Sequence, residues 1–330
     1  MIELAETVRD ELRLARGERR RGFAIRGVGD RIFNLVTALL GLSTLVLLFG
    51  FATALVIESM PSIRAFGFHF LVSTDWDPVN DVYGALPFIY GTTVSSLVAL
   101  VLATPLSLGV GLCLSEMAPD WLSRKLGFLV ELLAAIPSVV YGLWGIFVLG
   151  GWLRDYVEPF LSRHFGFIPL FRGPHVSVGM LTAGVVLAIM ILPYIAAVTT
   201  EVFRVVPRTQ REAALALGAT QWEMVRMAVL PFGTSGVIGA VILGLGRALG
   251  ETIAVAMVIG NTPQISASLF QPSSTLASVI ANEFVEATST LNVSALIELA
   301  LVLLVLGLAL NVAARLLVFG ITQRRLGGAG

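Results

Sequence analysis

The sequence predicts an all-α membrane protein with six transmembrane helices. Hydrophobic residues make up 56% of the chain and charged residues only 13%, whereas soluble domains carry about 25% charged residues. The mean hydropathy is +0.87. Six separate apolar stretches are long enough to cross a hydrocarbon core, which takes about 20 residues. This composition excludes an ordinary soluble domain.

The six predicted spans are separated by polar or charged segments. They lie near 32–57, 87–115, 127–150, 178–200, 233–260 and 293–319. The first span is not a signal peptide, because it is longer than an h-region and lacks a small-residue cleavage site.

The spans divide the chain into four regions. These are a tail at 1–31, the first span with its outer loop at 32–86, a transmembrane core at 87–319, and a second tail at 320–330. Acidic and basic residues alternate in the first tail, which is expected to form either a short interfacial helix or a solvated terminus.

The distribution of Lys and Arg predicts the orientation of the helices. With the N-terminus inside, 17 of the 22 basic residues lie in inner segments, four lie in outer loops, and Arg247 lies within a span. Both termini are therefore predicted to be cytoplasmic. The polar loop at 201–231 is then cytoplasmic as well.

Two short helices are predicted in this cytoplasmic loop. Thr209 with Glu212, and Thr220 with Glu223, each fit the capping-box pattern, in which the two side chains satisfy backbone N–H groups at a helix start. The loop is thus expected to be folded, with a defined surface.

A tight turn is predicted between these helices. Gly218 suits the left-handed position that ends a helix. Pro231 is expected to end the second helix before the fifth span begins. Because membrane spans tether both sides of the loop, a DNA-binding helix-turn-helix is not the expected function.

The fifth predicted span contains two charged residues, Arg247 and Glu251. A charge at the bilayer centre costs about 2.5–3.5 kcal/mol, so such residues face a bundle interior or an aqueous path. Their i, i+4 spacing predicts that they share one helix face. Gly246 and Gly250 form a G-x-x-x-G step beside them, which predicts a close approach of another helix.

Other polar or aromatic residues have two interpretations each. The second span carries four small hydroxyl residues that either line a path or pack helices together: Thr92, Thr93, Ser95 and Ser96. Glu131 and Glu298 are expected to snorkel or to form interhelical hydrogen bonds. The outer loops carry aromatic residues that either line a docking surface or anchor the interface, namely Trp76, Tyr83, Trp152 and Tyr156.

The cytoplasmic loop resembles a motif of a known family. Glu212-Ala213-Ala214, followed by Gly218 and Leu230-Pro231, resembles the EAA loop of bacterial ABC importer permeases. The segments at 135–145 and 244–252 are similar to the PstC-type permease family of phosphate importers. The similarity covers roughly residues 85–320.

The resemblance implies a type I importer fold in the inner membrane of a bacterium. It implies that the chain moves inorganic phosphate into the cytoplasm by alternating access, and that Glu212, Ala213, Ala214 and Gly218 contact an ATPase. The implied partners are a PstA-type second permease subunit, two PstB-type ATPase subunits and an external phosphate-binding protein. Lipid surrounds the complex, and no nucleic acid is involved.

The chain itself is not expected to be an enzyme. It has no G-x-x-x-x-G-K-[ST] sequence, and its only lysine, Lys125, is not preceded by the required glycines. ATP and magnesium are therefore expected in the partner ATPase, with no cofactor, metal or catalytic residue in this chain.

The cargo prediction depends on Arg247 and Glu251. Arginine suits phosphate because its planar fork donates two parallel hydrogen bonds, and Glu251 can accept a hydrogen bond from the hydroxyl of hydrogen phosphate. The alternative is an internal salt bridge that fixes the helix register. Other functions consistent with the residues are an importer of sulfate, molybdate or phosphonate, an ion-coupled secondary transporter, and a membrane-embedded enzyme acting on lipid phosphates.

Overall fold

The computed structural model describes the backbone of residues 28–327 and the side chains of residues 29–316. Within that part of the chain every regular element is a helix, and β-pairing is limited to two isolated bridges. The predicted interfacial helix of the first tail falls at residues that lie outside the described range.

The chain divides into two units, residues 1–57 and 58–330. The first unit contains helix α1, Val28–Glu58. Its 31 residues correspond to a length of about 46 Å, enough to cross a membrane. The predicted span at 32–57 is therefore confirmed as a long apolar helix.

The second unit contains the remaining helices. They are α2 (Met60–Phe66), α3 (His69–Val72), α4 (Leu86–Met117), α5 (Asp120–Ala135), α6 (Ser138–Phe165), α7 (Met180–Arg204), α8 (Arg208–Ala216), α9 (Gln221–Leu249), α10 (Ile253–Val258), α11 (Leu276–Glu283) and α12 (Thr290–Gly327). Helices α4, α7 and α12 confirm the predicted spans at 87–115, 178–200 and 293–319.

Helix α7 lies at the centre of the second unit. It packs against α4, α5 and α9, and its core side chains Val186, Leu187, Ile191 and Ile195 are at most 1% exposed. Ser107 of α4 donates a hydrogen bond to a backbone carbonyl of α7 over 3.0 Å. Neighbouring spans are therefore positioned by their contacts with α7.

The third predicted span, 127–150, is not a single straight helix. Helices α5 and α6 meet at an angle of 87°, and Ile136 and Pro137 lie between them. Proline disfavours the helical conformation of the residue before it, and Ile136 is extended, with ψ of 128°. The prediction of one continuous span was wrong at this point.

The fifth predicted span, 233–260, differs at both ends. Helix α9 starts at Gln221 and continues past Pro231, so the prediction that this proline ends the second loop helix was wrong. A wide π turn at Val225–Val229 leads into Pro231 without a break. At the other end α9 stops at Leu249, and α10 begins after three further residues.

Trp76 and Tyr83 of the loop before α4 pack together, but only Tyr83 is buried and Trp76 is half-buried. Tyr83 is 1% exposed, and the Trp76 ring lies 5.0 Å from Tyr83 and 4.9 Å from Phe88. Trp76 Nε1 donates to Glu283 Oε2 over 2.9 Å; burial raises the pKa of the Glu283 carboxyl, and this bond opposes the rise. The expected docking or anchoring role was therefore wrong for Tyr83, whereas either interpretation still fits the half-buried Trp76.

The other predicted outer residues behave differently. Trp152 and Tyr156 are 53% and 68% exposed, so either interpretation still fits them. Glu131 is exposed. Glu298 does not snorkel, because it is 6% exposed. Its carboxyl faces the Ser62 hydroxyl of α2, so the expected interhelical hydrogen bond stays a prediction.

Candidate functional site

Two helix breaks form the centre of the candidate site. The first lies between α5 and α6, where the last carbonyl groups of α5 have no partners within the helix. Two tyrosine hydroxyls serve as the missing donors. Tyr141 donates to Leu133 O over 2.8 Å, and Tyr194 donates to Ala134 O over 3.0 Å. This break is therefore a stable feature of the fold.

The second break lies between α9 and α10, at residues 250–252. Helix α10 packs against the start of α6, where Gly142 and Gly145 allow the two backbones to approach closely. A Cβ atom at Gly142 would lie 2.6 Å from Met257 Sδ, and one at Gly145 would lie 2.8 Å from Val258 Cγ1. The two broken helices therefore cross next to their breaks.

Arg247 and Glu251 lie at the second break. Arg247 Nη2 is 3.9 Å from Glu251 Oε2, and their side chains are 37% and 7% exposed. Because α9 ends at Leu249, Glu251 has left the helix, and its Oε1 accepts a hydrogen bond from the Ala254 N–H of α10 over 3.3 Å. The sequence prediction of a charge pair holds, but the contact is too long for a hydrogen bond.

Tyr194 is a site residue that sequence reasoning missed. The Arg247 guanidinium carbon lies 4.9 Å from the centre of its ring, within the range of a cation–π interaction. Through its hydroxyl the same residue binds the end of α5. A tyrosine next to Pro193 in an otherwise apolar span was the available sequence clue, since a buried tyrosine hydroxyl usually has a partner.

Gly246 and Gly250 do not form the close helix contact that their spacing suggested. A Cβ atom at Gly246 would meet nothing within 4 Å, and one at Gly250 would meet only the Gly246 carbonyl at 3.6 Å. The close approaches of α9 to α7 occur at Gly233, Gly236 and Gly244. Gly246, Gly250 and Arg247 instead lie on an exposed face of this chain.

The hydroxyl cluster of α4 is mostly buried. Thr92, Ser95 and Ser96 are at most 2% exposed. Thr92 Oγ1 donates to Phe88 O over 2.7 Å and accepts from Leu276 N–H over 2.9 Å. These bonds, like that of Thr93 to its own helix, favour the packing interpretation; a role in lining a path stays a prediction.

The polar loop folds into α8 and the start of α9. Gly218 has φ of +85°, and the N–H groups of Gly218 and Ala219 donate to the carbonyls of Leu215 and Ala214 over 2.9 and 3.2 Å. This is the Schellman arrangement that ends a helix at glycine. The left-handed residue predicted at Gly218 is confirmed.

Of the two predicted capping boxes, one forms. Thr220 Oγ1 accepts from the Glu223 N–H, and the Glu223 carboxylate accepts from the Thr220 N–H. The prediction for Thr209 was wrong, because α8 begins two residues earlier than a Thr209 cap requires, at Arg208, and Pro207 occupies the cap position. Proline fixes an extended entry to the helix without a side-chain cap.

The loop presents a mixed surface. Glu212 and Ala213 are exposed, while Ala214 is half-buried against a small core formed with Phe203, Met224 and their neighbours. The exposed fractions of Leu217 and Trp222 are 90% and 63%. A rigid polar loop with exposed apolar side chains has the composition of a protein-binding surface.

The arrangement brings a charged pair close to two helix breaks. Across the described residues no group of three or more His, Cys, Asp or Glu side chains has the geometry to hold a metal ion. The charged centre at Arg247 lies between two helix breaks, and the folded loop forms the opposite end of α9.

Comparisons with known proteins agree with this architecture. A family described as "Binding-protein-dependent transport system inner membrane component" matches residues 103–323. The phosphate transport system permease protein PstC of Pasteurella multocida is 45% identical over 299 residues, which cover 89% of this chain and 93% of that protein. PstC 2 of Mycobacterium tuberculosis is 42% identical over 300 residues, covering 88% and 92%.

Solved structures support the fold. An inward-facing MetNI methionine ABC transporter chain matches with a TM-score of 0.53 at 19% identity, covering 71% of this chain and 94% of that one. A chain of a bacterial ABC transporter that imports alginate matches with a TM-score of 0.51 at 18% identity, covering 87% and 96%. The chain thus has the fold of an ABC transporter permease and belongs to the family of binding-protein-dependent transport system inner membrane components.

Proposed function

We propose that this chain is the permease subunit of an ATP-driven importer that carries inorganic phosphate into the cytoplasm. Membership of the family implies two kinds of partner, an ATPase and a binding protein. The proposal extends this to a PstA-type second permease, two PstB-type ATPases that bind ATP and magnesium, and an external phosphate-binding protein. It assigns no catalytic activity to this chain.

The observation that carries the cargo assignment is the state of Arg247. Its guanidinium rests on the Tyr194 ring and makes only a long contact to Glu251. Among the described residues it donates no hydrogen bond, so its planar fork has donors free for two oxygens of an anion. Two PstC relatives, which are phosphate transport permeases by name, are 45% and 44% identical to this chain over 89% of its length.

The exposed face of α9 is the surface on which a second subunit is proposed to complete this site. Arg247, Gly246 and Gly250 are exposed in the single chain, and an exposed arginine within a span is unfavourable next to lipid. The second permease subunit is proposed to cover this face, so that the anion passes between the two subunits. Alternation between outward and inward openings follows when the ATPase moves the polar loop.

The test is ATP-dependent phosphate uptake by the complete complex in proteoliposomes. Arg247→Gln should abolish uptake while co-purification of the subunits is retained, and Arg247→Lys should restore part of it because the charge remains but the fork is lost. Arg315→Gln, which removes an exposed arginine from α12, is the matched control and should leave uptake unchanged. Normal uptake by Arg247→Gln would refute the proposed role.

Competition separates phosphate from other oxyanions. Excess sulfate, molybdate or phosphonate should not reduce phosphate uptake. Glu251→Gln should weaken discrimination against sulfate, because a carboxylate accepts the hydrogen bond of hydrogen phosphate and repels an anion that has no proton to donate. Strong inhibition of the wild-type complex by sulfate or molybdate would instead assign the cargo to that anion.

The rival classes make different predictions for the same preparation. An ion-coupled transporter would take up phosphate without ATP when an ion gradient is imposed. A lipid-phosphate enzyme would release phosphate from vesicle lipids. Uptake that requires ATP and the binding protein contradicts both.

A further inference from the structure

Arg211 stands immediately before Glu212 in α8 but points into the protein. Its side chain is 18% exposed, while Glu212 and Ala213 beside it are exposed. An arginine that is largely buried in an otherwise polar and solvated loop must have its donors satisfied. Its partner could not be inferred from neighbouring residues, since it lies 95 positions away.

The Arg211 guanidinium donates four hydrogen bonds. Two go to the carboxylate of Glu116, from Nε to Oε2 over 3.0 Å and from Nη2 to Oε1 over 2.7 Å. The others go to backbone carbonyls, from Nη1 to Val206 over 2.6 Å and from Nη2 to Phe203 over 2.7 Å. The bidentate carboxylate contact is the strongest form of this interaction and fixes the orientation of both groups.

These acceptors belong to the ends of two different spans. Glu116 lies in the final π turn of α4, at Cys113–Met117. Phe203 lies in the last turn of α7, and Val206 follows that helix. Helix C-termini have carbonyls without partners and carry partial negative charge, so a guanidinium suits this position. One side chain therefore joins α8 to both α4 and α7.

The pair is specific to these two residues. The Glu116 carboxylate is only 5% exposed, at the wall of an open groove of about 830 Å³ that also contains Arg124, Arg204 and Arg208. Arg204 is engaged elsewhere, with Glu201 Oε1 over 2.7 Å and Ser123 Oγ over 3.0 Å. Arg124 and Arg208 form no hydrogen bond or ion pair with Glu116 in the described part of the chain.

We infer that Arg211 and Glu116 form a coupling clamp, through which displacement of α8 by a partner moves α4 and α7 together with α9. This inference rests on the proposed function. Helix α9 follows α8 through the tight turn at Gly218, and α7 precedes α8 by three residues and packs against it through Phe203 and Ala214. Loss of the clamp therefore removes the polar link from the loop to α4 and loosens the link to α7, while α9 stays attached. ATP is then still hydrolysed, but fewer turnovers open the path.

The experiment uses the complete complex in proteoliposomes with phosphate-loaded binding protein, and measures phosphate carried per ATP hydrolysed. Arg211→Gln should lower this ratio at least five-fold, with binding-protein-stimulated ATPase activity within two-fold of wild type. Arg211→Lys, which keeps the charge, should recover part of the ratio. Arg208→Gln is the matched control, because Arg208 is on the same helix, lines the same groove and is exposed; its ratio should stay at the wild-type value.

The double variant R211Q/E116Q tests whether the two residues act as a unit. It has no buried unpaired charge, and its ratio should be no lower than that of Arg211→Gln alone, because residues in direct contact are not additive. Additive losses, a normal ratio in Arg211→Gln, or parallel losses of transport and ATPase activity would each overturn the clamp.

Assembly and cargo are read separately. If Arg211→Gln does not co-purify with its partners, the transport ratio of the double variant is used instead. If the double variant also fails to assemble, the pair serves stability and the coupling role is overturned. A wild-type complex that hydrolyses ATP in response to the binding protein but carries no phosphate would refute the proposed function itself.

Discussion

Tyr194 is predicted to hold Arg247 in the geometry needed for transport. Tyr194→Leu removes both the ring under the guanidinium, now 4.9 Å away, and the hydroxyl bonded to Ala134. Tyr194→Phe keeps the ring and removes only the hydroxyl. The two variants therefore separate the contact with the arginine from the contact with the end of α5.

The structure sets the expected magnitudes. Arg247 is 37% exposed, so its cation–π contact lies between the exposed and desolvated extremes and contributes about 1 kcal/mol. The hydroxyl bond to a helix-end carbonyl contributes about 1 kcal/mol as well. Since 1.36 kcal/mol is tenfold, Tyr194→Phe should lower the maximal rate roughly 5-fold and Tyr194→Leu roughly 30-fold.

The assay is ATP-dependent phosphate uptake at increasing concentrations of phosphate-loaded binding protein. The half-saturating concentration should not change, because docking occurs at the surface and Tyr194 lies within a span. Tyr141→Phe is the control, since it removes the equivalent 2.8 Å bond to Leu133 without contacting Arg247. If Tyr194→Leu is no slower than Tyr194→Phe, the ring does not position the arginine and the reasoning fails.

Two further predictions concern glycines. Gly142→Ala places a Cβ 2.6 Å from Met257 Sδ and 3.1 Å from the backbone Cα of Ala254. The methionine end can move aside but the backbone cannot do so easily, and overpacking costs about 1–3 kcal/mol. The thermal midpoint in detergent should fall, whereas Gly151→Ala on the same helix, with nothing within 4 Å, should leave it unchanged. Gly218→Ala forces a side chain into φ of +85° at a cost of about 1–2 kcal/mol, so less ATPase should co-purify. Gly239→Ala, also in open space, is the comparison, and equal ATPase recovery from both variants would contradict the need for this turn.

The spans were predictable because each depends on the summed hydropathy of about 20 residues. A single polar residue or proline barely alters that sum. The helix breaks were not predictable, because a break depends on one or two residues and such a sum does not register them. Pro105 and Pro193 lie inside continuous helices and Pro231 is also passed, yet Pro137 ends one. The difference is that hydroxyls from Tyr141 and Tyr194 satisfy the carbonyls freed at Pro137, and those contacts exist only in the folded chain.

Only part of the candidate site could be predicted from the sequence. Arg247 and Glu251 are conspicuous because a charge inside an apolar stretch needs a reason. Their contact is longer than an i, i+4 pair implies, because α9 ends between them. Tyr194 and the Arg211–Glu116 pair act across 53 and 95 positions of sequence, so a pattern of neighbouring residues could not reveal them.

The exposed face of α9 also has a consequence for how the subunit is made and kept. A chain inserted without its partner leaves the Arg247 guanidinium next to lipid or to a water defect, at about 2.5–3.5 kcal/mol. Leu243 and Gly246 on the same face offer it no polar neighbour. In the proposed complex, pairing with the second permease removes this penalty, so an unpaired copy of this chain is expected to be less stable than a paired one. The arginine proposed to bind the cargo would thereby also disfavour a surplus of this subunit.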